Sequence, residues 1–475
     1  MSFKEYADYD GIGLAGLIAK KKISAAEALE AAIMRAEAHN PKLNAIVLQL
    51  HDQARARAKT KLKGPFAGVP FLMKDILGAM VGVPTRQGSA YMPAFPAMRD
   101  STLTTRFHKA GFNTFGKTNV PEYGLLPITE STLYGPARNP WNTDHTPGGS
   151  SGGSGAAVAA GIVPIAHAND GGGSIRIPAS SCGLVGLKPT RGRNPLGPDF
   201  GDVMSGLIAE GVVTRSVRDT AAVLDATHGG EPGDPYPAPP VTYAYTDEIK
   251  RKPKKLRIGY ATTNLGGQKV HADCIAAVRS AAQLCEDLGH TVEESSPQID
   301  MAVLSDAFMA VWASGLAQVI DTIAMLTSTK PTMKTVQGLT MGLYEAGKRI
   351  SAAQYMNAIT MLQGAGRAVA AWHKTYDVWL TPTLGAPPLA VGAVDTSERD
   401  PQKAFAPIID YVPFTAIQNA TGQPAISLPL HWNKAGLPVG VQFVGRFGDE
   451  ATLLRIAAQL EKARPWKDKR PPIFG

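Results

Sequence analysis

Two glycine clusters, Gly148-Gly-Ser-Ser-Gly-Gly153 and Asp170-Gly-Gly-Gly-Ser-Ile-Arg176, decide the fold of this chain. Each cluster carries a serine, Ser150 in the first and Ser174 in the second. Glycine weakens regular structure by roughly 0.5–1 kcal/mol per site relative to alanine. A chain that tolerates glycine at this density is expected to use the exposed backbone amides or special dihedral angles. We therefore expect the chemistry of the protein here.

The segments around these clusters predict alternating helices and strands. Residues 154–161 predict a helix and residues 162–166 a short buried strand. Ser24-Ala-Ala-Glu27 is a capping box that predicts a helix to about His39, ending before Pro41. Residues 256–260, 273–288 and 291–294 have the pattern of a strand, a helix and a second strand, which predicts parallel sheet. Two long helices are predicted over residues 300–326 and 351–375. These patterns indicate an α/β protein.

Composition excludes several classes of function. The 475 residues include 48 basic and 40 acidic side chains. The sequence contains no run of eighteen or more apolar residues, so no membrane span is predicted. The N-terminus lacks an apolar signal core, and the three cysteines form no Cys-x-x-Cys pair. The dense basic run at 250–257 lacks interleaved aromatic residues, which favours a solvated linker over a nucleic-acid site. We expect a cytoplasmic protein without metal or cofactor, nucleic-acid partner or membrane.

Two short motifs suggest other chemistry. Residues 111–118 match the phosphate-loop pattern letter for letter, but two phenylalanines occupy the loop and Pro121 stands where the first helical turn should continue. The phosphate loop is therefore rejected in favour of a turn at the end of a strand. Residues 148–152 match the Gly-x-Ser-x-Gly elbow with Ser150 as nucleophile. That motif needs an apolar strand directly before it, which residues 142–147 do not supply.

Taken together, the motifs resemble the amidase signature family of serine hydrolases. The resemblance rests on five stretches: GVPFLMKD at 68–75, GGSSGG at 148–153, DGGGSIR at 170–176 with PASSCGLVGLKPT at 178–190, GQPAISLP at 422–429 and GLPVGVQ at 436–442. The 24-residue separation of the two serines agrees with that family. The match spans essentially the whole chain and is weakest in residues 230–375.

The resemblance implies a single α/β domain over 1–475, built around a large twisted mixed sheet covered by helices on both faces. Its core would comprise residues 64–228 and 376–463, and a variable helical region at about 230–375 would form part of the substrate pocket. It also implies a Ser-Ser-Lys triad: Ser174 as nucleophile, Ser150 as bridging serine after a cis peptide bond, and Lys74 as base.

The chemistry of such a triad is consistent with the residues. A serine hydroxyl is a poor nucleophile until a base takes its proton, and a lysine becomes that base when burial disfavours its ammonium form. The resemblance places the oxyanion hole at the backbone amides of Gly171, Gly172, Gly173 and Ser174. Asp170 and Arg176 flank the nucleophile and are expected to hold the loop by charge-assisted hydrogen bonds.

The resemblance implies an amidohydrolase that forms an acyl-enzyme, with Gly124 and Leu125 lining the acyl pocket. Substrates expected from this reading are small amides, including bulky or aryl amides, nylon-type cyclic amides, carbamates (urethanes) and esters. The Met-, Leu- and Ala-rich residues 300–345 indicate either an apolar pocket or ordinary helix packing. A glutamine-hydrolysing subunit of a tRNA-dependent amidotransferase is the alternative. We expect a monomer or homodimer.

Overall fold

The structure of the protein, a computed structural model, describes residues 3–474, without the side chain of Lys4. Fifteen α-helices and thirteen strands alternate along these residues, with short 3-10 turns at Lys4–Asp8 and Glu122–Gly124. The helices are α1 Gly11–Ala19, α2 Ala25–Leu43, α3 His51–Ala58, α4 Thr102–Lys109, α5 Gly152–Ala159, α6 Arg176–Cys182, α7 Val217–Thr227, α8 Tyr245–Glu248, α9 Ala272–Asp287, α10 Met301–Thr327, α11 Gly338–Lys348, α12 Ala352–Trp372, α13 Pro401–Ile409, α14 Ala416–Thr421 and α15 Glu450–Ala463. The strands are β1 Ile46–Gln49, β2 Pro70–Lys74, β3 Asn113–Thr118, β4 Glu130–Ser131, β5 Gly135–Pro136, β6 Ile165–Asp170, β7 Val185–Lys188, β8 Ala209–Thr214, β9 Arg257–Tyr260, β10 Thr291–Glu294, β11 Val378–Pro382, β12 Ala425–Trp432 and β13 Pro438–Val444.

One mixed sheet organises the described residues. Its eleven strands follow the order β1-β3-β2-β6-β8-β7-β12-β13-β11-β9-β10, while β4 and β5 pair separately. The pairs β3–β2, β2–β6, β11–β9 and β9–β10 are parallel, and the remaining pairs of the sheet are antiparallel. Helices flank the sheet, so the predicted single α/β domain around a large mixed sheet is confirmed.

The parallel pairing of β2 with β6 positions the functional residues. Lys74 is the last residue of β2 and Asp170 is the last residue of β6. Carboxyl ends of parallel strands meet at one edge of a sheet, which is where α/β proteins build their sites. Both strands are buried along their whole length. The lysine motif and the second glycine cluster therefore converge, although about a hundred residues separate them.

The apparent phosphate loop is an interior strand, the second from one edge of the sheet. Gly116, Lys117 and Thr118 belong to β3, and Lys117 is completely buried with its Nζ 3.4 Å from Asp75 Oδ1. The rejection of nucleotide binding at this segment is therefore consistent with the structure, although the segment is part of the strand rather than a turn at its end. Its amides pair with neighbouring strands and are not available to a phosphate.

Helix α2 extends further than the sequence predicts, because it continues through Pro41 to Leu43. A proline in the last turn removes only one intrahelical hydrogen bond, and tertiary contacts offset this loss. Leu43 is fully buried, and the Asn40 side chain accepts hydrogen bonds from the amides of Ala45 and Ile46 at 2.8 Å each. The helix therefore ends where its side chains join β1.

The segment at 230–375 is only partly helical. Strands β9 and β10 extend the main sheet, whereas α10, α11 and α12 pack together and carry the third hydrophobic cluster of the chain. By length and composition α10 could span a membrane, but its apolar residues contribute to this cluster, as in the core helix of a globular protein. Sequence patterns did not predict α6, α11, β7 or β8.

Candidate active site

Lys74 lies in the interior of the protein, at the end of β2. Its side chain is 0% exposed, and Nζ lies 2.7 Å from Ser150 Oγ and 2.6 Å from Asn169 Oδ1. Burial lowers the pKa of Lys74 from 10.5 to about 7, against the negative charges of Glu210 and Asp170, which raise it. A substantial fraction of the lysine is therefore the neutral amine near neutral pH and able to accept a proton.

The loop that carries Ser150 is shaped by glycines at close backbone contacts. A Cβ at Gly149 would lie 2.4 Å from the carbonyl oxygen of Ile128, so only glycine fits there. The peptide bond between Gly149 and Ser150 is cis, as the resemblance implies. Ser150 is 2% exposed and contacts Lys74 directly. The structure therefore brings the predicted Lys74 and Ser150 side chains together.

Ser174 belongs to the turn between β6 and α6 and is 7% exposed. The start of α6 packs against the first glycine cluster, since a Cβ at Gly148 would lie 3.0 Å from Pro178 Cα and 3.1 Å from Ile177 Cγ2. The residues that directly follow the second glycine cluster therefore contact the first cluster.

The amides of the second cluster are not equivalent. The Gly173 amide donates to Asp170 Oδ1 at 2.7 Å, so it is already used within the loop. The amides of Gly171, Gly172 and Ser174 have no protein acceptor among residues 3–474. Of the four predicted donors, the amides of three are therefore without a protein acceptor in the described part of the chain.

Asp170 and Arg176 form a fully buried ion pair beneath this loop. Both side chains are 0% exposed, and Arg176 donates to the two carboxylate oxygens at 2.9 Å each. Burial alone would raise the pKa of Asp170, but the charge and hydrogen bonds of Arg176 lower it to about 2. Three further acceptors satisfy the remaining guanidinium donors: Gln418 Oε1, Gln442 Oε1 and Asn419 Oδ1. The predicted loop-holding contact is present.

Three polar residues of the site were not anticipated from the sequence. Asn169 accepts from Lys74, Thr415 donates to the Gly172 carbonyl at 2.7 Å, and Asn419 donates to Asp170 Oδ1 at 2.9 Å. Asn169 was detectable in principle, because it directly precedes Asp170 at the end of a buried strand. Thr415 and Asn419 lie about 240 residues from their partners, and no local pattern marks them.

Apolar side chains surround the nucleophile loop. A Cβ at Gly171 would lie 2.5 Å from Ile208 Cδ1 and 3.0 Å from the Trp312 ring, and one at Gly172 would lie 3.4 Å from the Phe308 ring. Phe308 and Trp312 are stacked on α10 with ring centroids 5.4 Å apart. The Met-, Leu- and Ala-rich helix of the sequence therefore brings two aromatic rings to this loop.

The two predicted pocket residues occupy different environments. Gly124, with φ of +69°, is beside Ser150, because a Cβ there would lie 3.2 Å from Ser150 Oγ. Leu125 is 6% exposed and belongs to the hydrophobic cluster that contains Trp312 and Ile177. Among residues 3–474, no group of three His, Cys, Asp or Glu side chains is placed to hold a metal ion.

The family model for amidases matches residues 27–454, which is most of the chain. The chain belongs to the amidase signature family. It is 38% identical to a 6-aminohexanoate-cyclic-dimer hydrolase of Paenarthrobacter ureafaciens over 98% of this chain and 97% of that protein. A solved structure of 6-aminohexanoate cyclic dimer hydrolase superimposes with a TM-score of 0.94 at 36% identity, covering 98% of this chain and 99% of that one. A bacterial aryl acylamidase superimposes with a TM-score of 0.88 at 28% identity, covering 97% of each chain.

This amidase family member is accordingly an amidohydrolase that cleaves carbon–nitrogen bonds of amides. The family relationship agrees with the prediction made from the glycine clusters and the lysine motif.

Proposed function

We propose that the protein hydrolyses small amides through an acyl-enzyme, with Ser174 as nucleophile, Ser150 as proton relay and Lys74 as base. The observation that carries this proposal is the 2.7 Å contact between Lys74 Nζ and Ser150 Oγ in a water-excluded position. A lysine with a pKa of about 7 can accept the serine proton at neutral pH.

The first half of the reaction forms the acyl-enzyme. Ser174 Oγ bonds to the substrate carbonyl carbon while its proton passes to Ser150, whose own proton passes to Lys74 Nζ. The carbonyl electron pair moves onto oxygen, and the amides of Gly171, Gly172 and Ser174 donate to that oxyanion. When the carbon–nitrogen bond breaks, the proton returns through Ser150 to the departing nitrogen.

The second half repeats the same proton path with water. Water adds to the acyl carbon as its proton passes through Ser150 to Lys74, and the proton returns to Ser174 Oγ as the ester bond breaks. The loop that holds the oxyanion donors is braced by the buried Asp170–Arg176 pair, so it is preorganised before substrate binds. A single lost oxyanion donor typically costs about 2.7–4 kcal/mol of transition-state stabilisation.

The preferred substrates are amides with an apolar acyl or amine group. Phe308, Trp312 and Ile208 surround the glycine loop with hydrocarbon and aromatic surface, which contacts apolar groups better than charged ones. The names of the relatives support cyclic dimers of 6-aminohexanoate and aryl acylamides as substrates. Carbamates and esters present a carbonyl of similar shape and are included. We place this activity in the cytoplasm, in a monomer or homodimer acting on small molecules.

The experiment uses three serine variants and a panel of substrates. Ser174→Ala and Ser150→Ala should each lower kcat by at least about 10³-fold, whereas Ser151→Ala, next to the relay, should stay within about tenfold of the parent. The panel contains a cyclic amide, an aryl acylamide, a carbamate and an ester. Full activity of Ser174→Ala would disprove the nucleophile assignment. A chain that hydrolysed none of these compounds, and released ammonia from glutamine only with partner chains, would favour the amidotransferase subunit.

A further inference from the structure

A buried histidine and a buried glutamate lie directly behind the lysine. His167 on β6 is 0% exposed and Glu210 on β8 is 3% exposed. His167 Nδ1 accepts a hydrogen bond from the Lys74 backbone amide at 3.2 Å, and His167 Nε2 lies 2.6 Å from Glu210 Oε2. These contacts form a chain from Glu210 through the imidazole to the main chain of the base.

The hydrogen-bond pattern determines where the protons reside. An amide N–H can only donate, so Nδ1 must carry a lone pair and the ring cannot be an imidazolium. The proton of the neutral ring then lies on Nε2 and is donated to a Glu210 carboxylate. With the Glu210 carboxyl ionised, the pair holds one net negative charge and is not a salt bridge between opposite charges.

The ring is held in this orientation from both sides. Phe107 packs edge-on at a centroid distance of 5.7 Å, and a Cβ at Gly78 would lie 3.0 Å from His167 Cε1. Ser154 Oγ donates to the His167 carbonyl at 2.7 Å, which fixes the main chain beneath the ring. The imidazole is thus an immobile link between the carboxylate and β2.

Glu210 differs from the other carboxylates around Lys74. Among the described residues no arginine or lysine contacts it, and its side-chain partner is the neutral His167. The other carboxylate whose charge acts on Lys74 is that of Asp170, which pairs with Arg176 and also lies in the field of the buried Lys188 on β7. Of these two carboxylates, Glu210 is the one without an arginine or lysine partner among residues 3–474.

We propose that His167 and Glu210 are positioning residues for the reaction, with Glu210 supplying one buried negative charge that stabilises the ammonium of Lys74 and His167 fixing the end of β2. This inference rests on the proposed role of Lys74 as base. During acylation Lys74 gains a proton and a positive charge, and the Glu210 carboxylate is the counter-charge for that state. The charge of Glu210 also raises the pKa of Lys74, and with it the pH above which the lysine is a free amine.

The test compares the pH dependence of kcat/KM in matched variants of the full chain. Glu210→Gln removes the charge and keeps the shape, so the ammonium form is disfavoured and the acidic limb should move to lower pH by about one unit. Glu210→Asp keeps the charge, and its acidic limb should stay near that of the parent even if kcat falls. Glu461→Gln removes a half-buried carboxylate that accepts from the Val217 amide, remote from the base, and should leave the limb in place.

A second readout does not depend on substrate turnover. The rate of inactivation by a fluorophosphonate, which phosphonylates the nucleophilic serine with loss of fluoride, should show the same shift in Glu210→Gln, and circular dichroism monitors folding. An acidic limb that is unchanged in Glu210→Gln, or shifted equally in Glu210→Asp, would overturn the inference. Lys74→Ala separates the two proposals, because full activity in that variant would refute the triad itself. Inactive Lys74→Ala with an unshifted Glu210→Gln would refute only the role of Glu210.

Discussion

Lys74 Nζ is as close to Asn169 Oδ1, at 2.6 Å, as it is to Ser150 Oγ, at 2.7 Å. Its Nζ thus lies between a serine on one loop and a side-chain amide on the neighbouring strand. Asn169 contributes a neutral acceptor, and burial lowers the pKa of Lys74 to about 7.

Asn169→Asp places a carboxylate against the base and should move the acidic limb of kcat/KM to higher pH. An opposite charge at this distance favours the ammonium by about 1–3 pKa units. The variant should therefore lose activity at pH 7 and recover part of it at pH 9. Asn169→Ala, which removes the contact without adding charge, should lower kcat with no upward shift. An acidic limb of kcat/KM at the same pH in the Asn169→Asp and Asn169→Ala variants would contradict this account.

Lys74 should make stability depend on pH. Its pKa is lowered from 10.5 to about 7 by burial, so between these values the unfolded chain holds a proton that the folded chain has released. Stability therefore rises with pH across this window, by up to about 1.4 kcal/mol per pH unit. The free energy of unfolding of the parent, measured relative to Lys74→Met in urea, should increase between pH 7 and 9.5. The same difference taken against Lys61→Met, at an exposed lysine, should stay constant over this pH range.

Gly173→Ala should disturb the nucleophile loop more than Gly172→Ala. Gly173 has φ of +133°, and a Cβ there would lie 2.4 Å from Thr415 Oγ1, whereas a Cβ at Gly172 meets only the Phe308 ring at 3.4 Å. We expect Gly173→Ala to lower both Tm and kcat. Gly172→Ala should keep the parental Tm and alter mainly KM. Equal melting temperatures in differential scanning calorimetry would argue against the strained position.

Arg176→Ala should destabilise the protein by about 3–5 kcal/mol, because it leaves the Asp170 carboxylate buried without its cation. The matched control is Arg55→Ala at the exposed pair with Glu30, whose side chains are 44% and 45% exposed. That change should cost less than about 1 kcal/mol. Urea titration of the two variants measures both values, and a small loss in Arg176→Ala would show that the loop does not depend on the pair.

Phe308→Ala should weaken binding of apolar amides in particular. The ring contacts the position of Gly172 and stacks on Trp312, so its removal takes apolar surface from the acyl or amine group of the substrate. We expect KM for an aryl amide to rise about tenfold, equivalent to about 1–2 kcal/mol, with little change for acetamide. Phe95→Ala, at a ring that is 65% exposed, should leave both values unchanged. Equal changes of KM for the aryl amide and for acetamide would show that Phe308 only packs within the protein and does not bind substrate.

Local sequence patterns predicted the capped start of helix α2 and the β9–α9–β10 unit, because periodicity and capping are properties of neighbouring residues. They failed at Pro41, where the tertiary contacts of Asn40 and Leu43 maintain a helix that proline alone would end. The phosphate-loop pattern was rejected from the sequence, but the place of this segment as an interior strand depended on pairing with β1 and β2.

The sequence by itself determined the chemical inventory of the site: two glycine clusters, each with a serine, and a lysine at the end of an apolar strand. Glycine spacing and residue type carry that information because they constrain the backbone locally. Only the tertiary structure decided the protonation and hydrogen bonding of these residues. Burial lowers the pKa of Lys74, and the Gly173 amide donates to Asp170 within its own loop. His167 on β6 contacts the Lys74 main chain, and Glu210 on β8 contacts His167. Solvation and charge at the lysine depend on such neighbours, which are distant in sequence, so local patterns do not reveal them.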